Sequence, residues 1–120
     1  MILVDTSVWI DHLHRADARL VALLVDAEVC VHPMVLGELA LGSLRDRRAV
    51  LSLLDELPAV SVATQSEVRH LIEARALFGQ GLSLVDAHLL AGLKITSGTG
   101  LWTRDRRLRA AATDLGVDCS

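Results

Sequence analysis

The feature that most limits the fold is an alternation of short apolar runs with longer helical stretches. Residues 2–4, 29–31, 60–62 and 101–103 are brief, apolar and rich in β-branched side chains, and residues 117–119 have a similar character. Runs that show no polar alternation read as strands covered on both faces. Between them lie stretches with helical spacing: a short turn over 7–12, then 17–27, 33–42, 45–57, 64–78, 83–94 and 105–115. Their boundaries carry recognisable signals. Pro33 suits a first helical position, Pro58 stops a helix, Gly79, Gly81 and Gly116 end others, and Ser83 opens one. Strands alternating with helices predict an α/β fold, with a parallel sheet joined by right-handed crossovers.

A chain of 120 residues is one domain, residues 1–120, with no internal repeat, linker or low-complexity tract. Its hydrophobic fraction of 52% and mean hydropathy of +0.42 exclude disorder. The longest apolar runs, such as Leu20 to Val25, fall far short of the roughly 20 residues a membrane span needs. The first residues hold no basic leader, and Asp5 interrupts the opening apolar run, so no signal peptide is expected. Cys30 and Cys119 are too few for a secreted disulfide framework, and a cytoplasmic protein is expected. The apolar excess also predicts exposed patches on the helices that begin near Asp17 and Pro33, covered by a partner.

Fifteen acids against twelve bases give a net charge of −3, unlike a uniformly basic nucleic-acid binder. The bases are clustered arginines, with Lys94 the only lysine. Arg45, Arg47 and Arg48 form one group; Arg104, Arg106, Arg107 and Arg109 form another, beside Asp105. The aromatic residues are Trp9, Phe78 and Trp102, too few for a base-stacking platform. Arginine, whose fork binds phosphate bidentately, is therefore the side chain suited to an anionic ligand, with Arg104, Arg106 and Arg107 nearest the acids and the candidates for RNA binding should the ligand be RNA.

Four acids stand where chemistry is expected. Open α/β sheets bind ligands beyond the carboxyl ends of their strands. Asp5 follows the first strand, and Asp105 follows residues 101–103. Both also suit a helix N-cap. Asp86 completes a Ser83-x-x-Asp86 capping box and suits the first turn of a helix. Glu38 lies too deep in its helix to cap it, among Met34, Val35, Leu41 and Gly42. An ionised carboxylate on such an apolar face needs a partner or a cation. Two like charges about 5 Å apart repel by roughly 3 kcal/mol at an effective dielectric near 20, so converging acids call for a cation. All-oxygen donors suit Mg²⁺ or Mn²⁺ rather than zinc. Thr6, Ser7 and Thr103 place hydroxyls beside the strand ends, to orient ligands or to make turn bonds. His12, His14, His32 and His70 sit among surface-like residues and receive no role.

These residues resemble the PIN-domain ribonucleases, and among them the VapC toxins of bacterial toxin–antitoxin pairs. Met1–Ile2–Leu3–Val4–Asp5–Thr6–Ser7 resembles the family's first motif. Glu38 with Gly42 resembles its E-x-x-x-G helix, Leu84–Val85–Asp86–Ala87 its third acidic motif, and Leu101–Trp102–Thr103–Arg104–Asp105 its fourth. One such motif is weak; four in order across the whole chain are specific. The resemblance implies a three-layer fold, a parallel sheet flanked by helices around one acidic pocket. It implies Mg²⁺- or Mn²⁺-dependent hydrolysis of RNA, with Asp5, Glu38, Asp86 and Asp105 as metal-binding catalytic residues. It also implies a homodimer and a cognate VapB-like antitoxin.

Three other readings compete. A phosphohydrolase with Asp5 as nucleophile would want a second Asp where Ser7 stands, and a pocket lysine. A receiver domain wants the same lysine and a paired acid beside Asp5. A non-catalytic, PIN-like RNA-binding module would be favoured by loss of one of the four acids, and none is lost.

Overall fold

The computed structural model describes residues 1–120. In chain order the elements are β1 (Ile2–Val4), α1 (Thr6–His14), α2 (Ala18–Val25), β2 (Val29–Cys30), α3 (Pro33–Leu41), α4 (Arg47–Asp55), α5 (Gln65–Ala74), α6 (Leu84–Lys94), β3 (Gly100–Trp102) and α7 (Arg106–Asp114). The three strands form a parallel sheet in the order β2-β1-β3. Ile2 lies between Val29 and Gly100, and Leu3 between Cys30 and Leu101. Leu3 and Val4 are neighbours on a strand, so they point to opposite faces; both are fully buried. Helices therefore cover the sheet on both sides, and the fold is the expected three-layer α/β arrangement.

Two single-residue bridges widen the sheet, Val31 to Ala59 on one edge and Leu101 to Asp118 on the other, both parallel. The strand expected at residues 60–62 shrinks to the first of these. Val31 N donates to Pro58 O at 2.8 Å and Val60 N to Val31 O at 2.9 Å, but Ser61 N turns away to Thr96 Oγ1 at 3.1 Å. The next partner position is Pro33, which has no N–H and begins α3, so the ladder ends, and Val62 is exposed. Residues 117–119 likewise make one pair of bonds with Leu101 and no longer strand.

The caps explain most helix boundaries. Asp17 accepts from Leu20 N, while Thr64 with Glu67 and Ser83 with Asp86 form complete capping boxes. Residues 64–78 do not form one helix up to Gly79. α5 stops at Ala74, where Ala76 takes a left-handed conformation (φ 51°) and Leu77 N bonds back to Ile72 O. This is a Schellman cap with alanine where glycine is usual. Ala76→Gly should therefore raise stability, by about 0.5–1 kcal/mol, read as a higher urea midpoint; a lower midpoint would show that the cap is unstrained.

The core gathers strand residues with Val8, Trp9, Leu20, Val35 and Leu39 against α6, which is buried from Ala87 to Leu93. Gly92 lets α6 lie close to the chain before α5: a Cβ there would come 3.0 Å from Ser61 O. No helix is long and apolar enough to cross a membrane. The chain leaves the middle strand for one edge and returns to the other, so its order reverses at β1. The crevice of such a sheet lies outside the carboxyl ends of the strands at that reversal, which here are β1 and β3.

Candidate active site

Asp5 leaves the end of β1 with its N–H on Trp102 O at 2.9 Å, which fixes it to β3. It occupies the N-cap position of α1, yet its side chain makes no capping bond. Its Oδ2 instead accepts from Thr103 Oγ1 at 2.7 Å and Ser7 Oγ at 2.8 Å. Those hydroxyls are held in turn: Asp105 N donates to Thr103 Oγ1 at 3.0 Å, and Arg104 N to Ser7 Oγ at 3.1 Å. Asp5 is 7% exposed and Thr103 is buried, so this network fixes the deepest carboxylate of the site.

The remaining acids come from helix starts and one helix face. Asp105 caps α7, its Oδ1 accepting from Arg107 N at 2.9 Å and Leu108 N at 3.0 Å. Asp86 closes the capping box that Ser83 opens on α6, its Oδ2 accepting from Ser83 N at 3.0 Å. Glu38 on α3 receives Thr6 Oγ1 on its Oε1 at 2.7 Å. The apolar face expected around Glu38 is not formed. Val35 and Leu39 turn into the core, whereas Glu38 itself is exposed and Leu41 is 91% exposed. Glu38 borders a groove of about 640 Å³ shared with Ile10, Leu13, Gly42, Leu44 and Arg45.

Each acid thus has one oxygen bonded within the chain and a second that no protein donor reaches: Asp5 Oδ1, Glu38 Oε2, Asp86 Oδ1 and Asp105 Oδ2. The capping readings of Asp86 and Asp105 and a role at the site are therefore compatible, because capping takes only one oxygen of each. Burial pushes the half-buried Asp86 carboxyl above the usual range; its bonds from Ser83 pull it down, while the charges of Asp105 and Asp5 push it up. Asp5, Asp86 and Asp105 therefore share one field. No three His, Cys, Asp or Glu side chains converge closely enough to enclose a cation by themselves.

The arginines divide. Arg104 pairs with Asp11 and with Asp17 at 2.7 Å, and its guanidinium lies 5.9 Å from the Trp102 ring. Arg109 pairs with Asp118 at 3.6 Å, and Arg47 donates to Ala40 O. Arg106 and Arg107 are exposed at the start of α7.

Two features escaped the sequence reading. His32, expected at the surface, is 1% exposed, and His88 is buried 6.5 Å away, ring centre to ring centre. Gly81, read only as a helix stop, lies under the Arg107 side chain. A glycine two residues before a capping serine was its only signal.

The fold agrees with a comparison against protein families: the PIN domain matches residues 2–114. The chain belongs to the PIN-domain family. It is also similar to Ribonuclease VapC32 of Mycobacterium tuberculosis, in strains CDC 1551 / Oshkosh and ATCC 25618 / H37Rv. Identity to each is 55% over 117 residues, which covers 98% of this chain and 94% of the relative.

Proposed function

We propose that this protein is a VapC-type ribonuclease toxin that hydrolyses RNA phosphodiester bonds with Mg²⁺ or Mn²⁺. The observation that carries the reading is the set of four carboxylates, each with one oxygen anchored and one free. Asp5, Glu38, Asp86 and Asp105 are the metal-binding catalytic residues of this proposal. The donor set fits such an ion: it is all oxygen and hard, and burial, with the charges of Asp105 and Asp5, already disfavours the bare Asp86 carboxylate. When bound, the cation neutralises phosphate charge and activates water.

The chain's own residues do the rest. Ser7 and Thr103 donate to Asp5 Oδ2 and so hold the carboxylate while leaving Oδ1 free. Thr6 does the same for Glu38. Backbone N–H groups at the starts of α6 and α7 hold Asp86 and Asp105, so the free oxygens are set by secondary structure rather than by mobile side chains. That preorganisation is what positions a phosphodiester for attack.

The same reading includes a cytoplasmic homodimer and a VapB-like antitoxin. Similarity to a protein named for VapC supports the antitoxin, and exposed apolar side chains support partners in general. Val25 on α2 is 79% exposed and Leu41 at the end of α3 is 91% exposed, on the two helices expected to carry such patches. A single assay tests the enzyme. Purified protein is incubated with single-stranded RNA in Mg²⁺, in Mn²⁺ and in chelator; cleavage should occur with either metal and stop with chelator. Binding without cleavage in any metal would favour the RNA-binding module instead.

A further inference from the structure

An RNA backbone is a row of like charges, and the metal of the proposed site meets only the phosphate at the acids, so the phosphates beside it are left to cations of the chain. Arg104 and Arg109 are neutralised by Asp11, Asp17 and Asp118. Arg107 forms no ion pair and no side-chain hydrogen bond within the chain, and its exposed side chain lies against Gly81. A Cβ built on Gly81 would overlap the Arg107 guanidinium, lying 2.8 Å from its Cδ and 2.9 Å from its Cζ. The arginine therefore lies across the bare face of Gly81. Its backbone N–H is held by Asp105 Oδ1 at 2.9 Å. Gly81 stands two residues before Ser83, the residue that bonds Asp86. The Arg107 side chain thus runs from the turn that carries Asp105 to the loop that leads into Asp86.

We infer that Gly81 is a positioning residue whose missing side chain leaves room for the Arg107 side chain to lie along the loop that leads into Asp86, where its guanidinium binds an RNA phosphate. The identity of the ligand rests on the ribonuclease reading above. The planar fork suits a phosphate bidentately, and seating its stem beforehand reduces the freedom lost on binding. Gly81 has φ +77°, where only glycine is relaxed, and its neighbour Gly79 has φ +72° with nothing within 4 Å of its Cβ position. The pair is an internal control. Gly79→Ala imposes the same backbone strain without displacing an arginine, and Gly81→Asn displaces the arginine while tolerating the backbone better than alanine does.

Affinity for a short single-stranded RNA is measured by fluorescence anisotropy across a salt series, in an Asp5→Asn background. KM and kcat are measured in the otherwise unaltered chain. Arg107→Ala, Gly81→Ala and Gly81→Asn should each weaken binding about 5–10-fold and lower the salt slope by about 0.7. Each should raise KM more than it lowers kcat, Gly79→Ala should change neither, and Gly81→Ala should add nothing to Arg107→Ala. The inference is overturned if Arg107→Ala leaves affinity and slope unchanged, if Gly79→Ala acts as strongly as Gly81→Ala, or if Gly81→Ala weakens the Arg107→Ala protein as much as its parent. Arg107-dependent binding without cleavage would keep this inference and reject the hydrolytic reading; cleavage indifferent to Arg107 would do the reverse.

Discussion

Asp5→Asn is expected to lower RNA cleavage about 100-fold or more and to leave the fold intact. The reason lies in the hydroxyls around it. Ser7 Oγ and Thr103 Oγ1 already accept backbone N–H groups from Arg104 and Asp105, and each donates to Asp5 Oδ2. In the variant the amide oxygen takes the place of Oδ2. The amide NH₂ then stands where Oδ1 faced the site, a donor in place of an acceptor. Removing this charge also removes a small part of the repulsion on Asp86, so the metal-free protein should melt no lower than wild type. Thr103→Val separates positioning from charge. It leaves all four acids but removes a donor to Asp5 and the acceptor of Asp105 N. Activity should fall about 10–100-fold and stability by about 1–3 kcal/mol. Cleavage rates and urea melts of both variants decide the matter. If Asp5→Asn keeps most of its activity, the carboxylate cluster is not the reactive centre.

The part of this fold legible in the sequence is the part set locally. Apolar triplets such as residues 2–4 can be buried only as inner strands, and Ser83 with Asp86 or Thr64 with Glu67 spell out a cap in four residues. What was not legible depends on residues distant in the chain. The strand at residues 60–62 is lost because its partner, distant in the chain, turns into α3 at Pro33, which has no N–H to offer. Ala76 ends α5 in a conformation that favours glycine, because Leu77 is drawn into the core. For the site, the four acids could be read from motif order, and the hydroxyls of Ser7 and Thr103 from their places beside strand ends. Three details could not. Glu38 is exposed because Val35 and Leu39 alone supply the buried face of α3. Arg104 is taken up by Asp11 and Asp17 on the α1–α2 side. The seat of Arg107 on Gly81 joins residues that only the fold brings together.

His32 should make the protein sensitive to mild acid. Its Nδ1 caps α3 by accepting from Met34 N at 3.0 Å, which places the proton of the neutral ring on Nε2. That atom is buried with no acceptor, as is Nδ1 of His88 nearby. Protonating His32 would take the acceptor from the cap and bury a charge. Burial, helped by the His88 charge, accordingly lowers its pKa to about 4 from an ordinary 6.5. Since the unfolded chain takes up the proton more readily, this contribution is full above pH 6.5 and is lost as pH falls from 6.5 towards 4. The complete loss is about 3 kcal/mol, of which about 2 kcal/mol is gone by pH 4.5. Asp86 works in the opposite direction: its raised carboxyl pKa favours the folded state as acid is added. The carboxylates held low, Asp17, Glu67 and Asp118, lose their contributions only as pH falls below about 4.5. The window from 6.5 to 4.5 therefore reports on histidine. His32→Asn keeps an acceptor for Met34 N, asparagine being a favoured N-cap, and removes the titration. Urea midpoints of both proteins at pH 7 and pH 4.5 are the test. The wild type should lose stability between them and His32→Asn much less, whatever its stability at pH 7. An equal loss in both would place the acid sensitivity elsewhere in the fold.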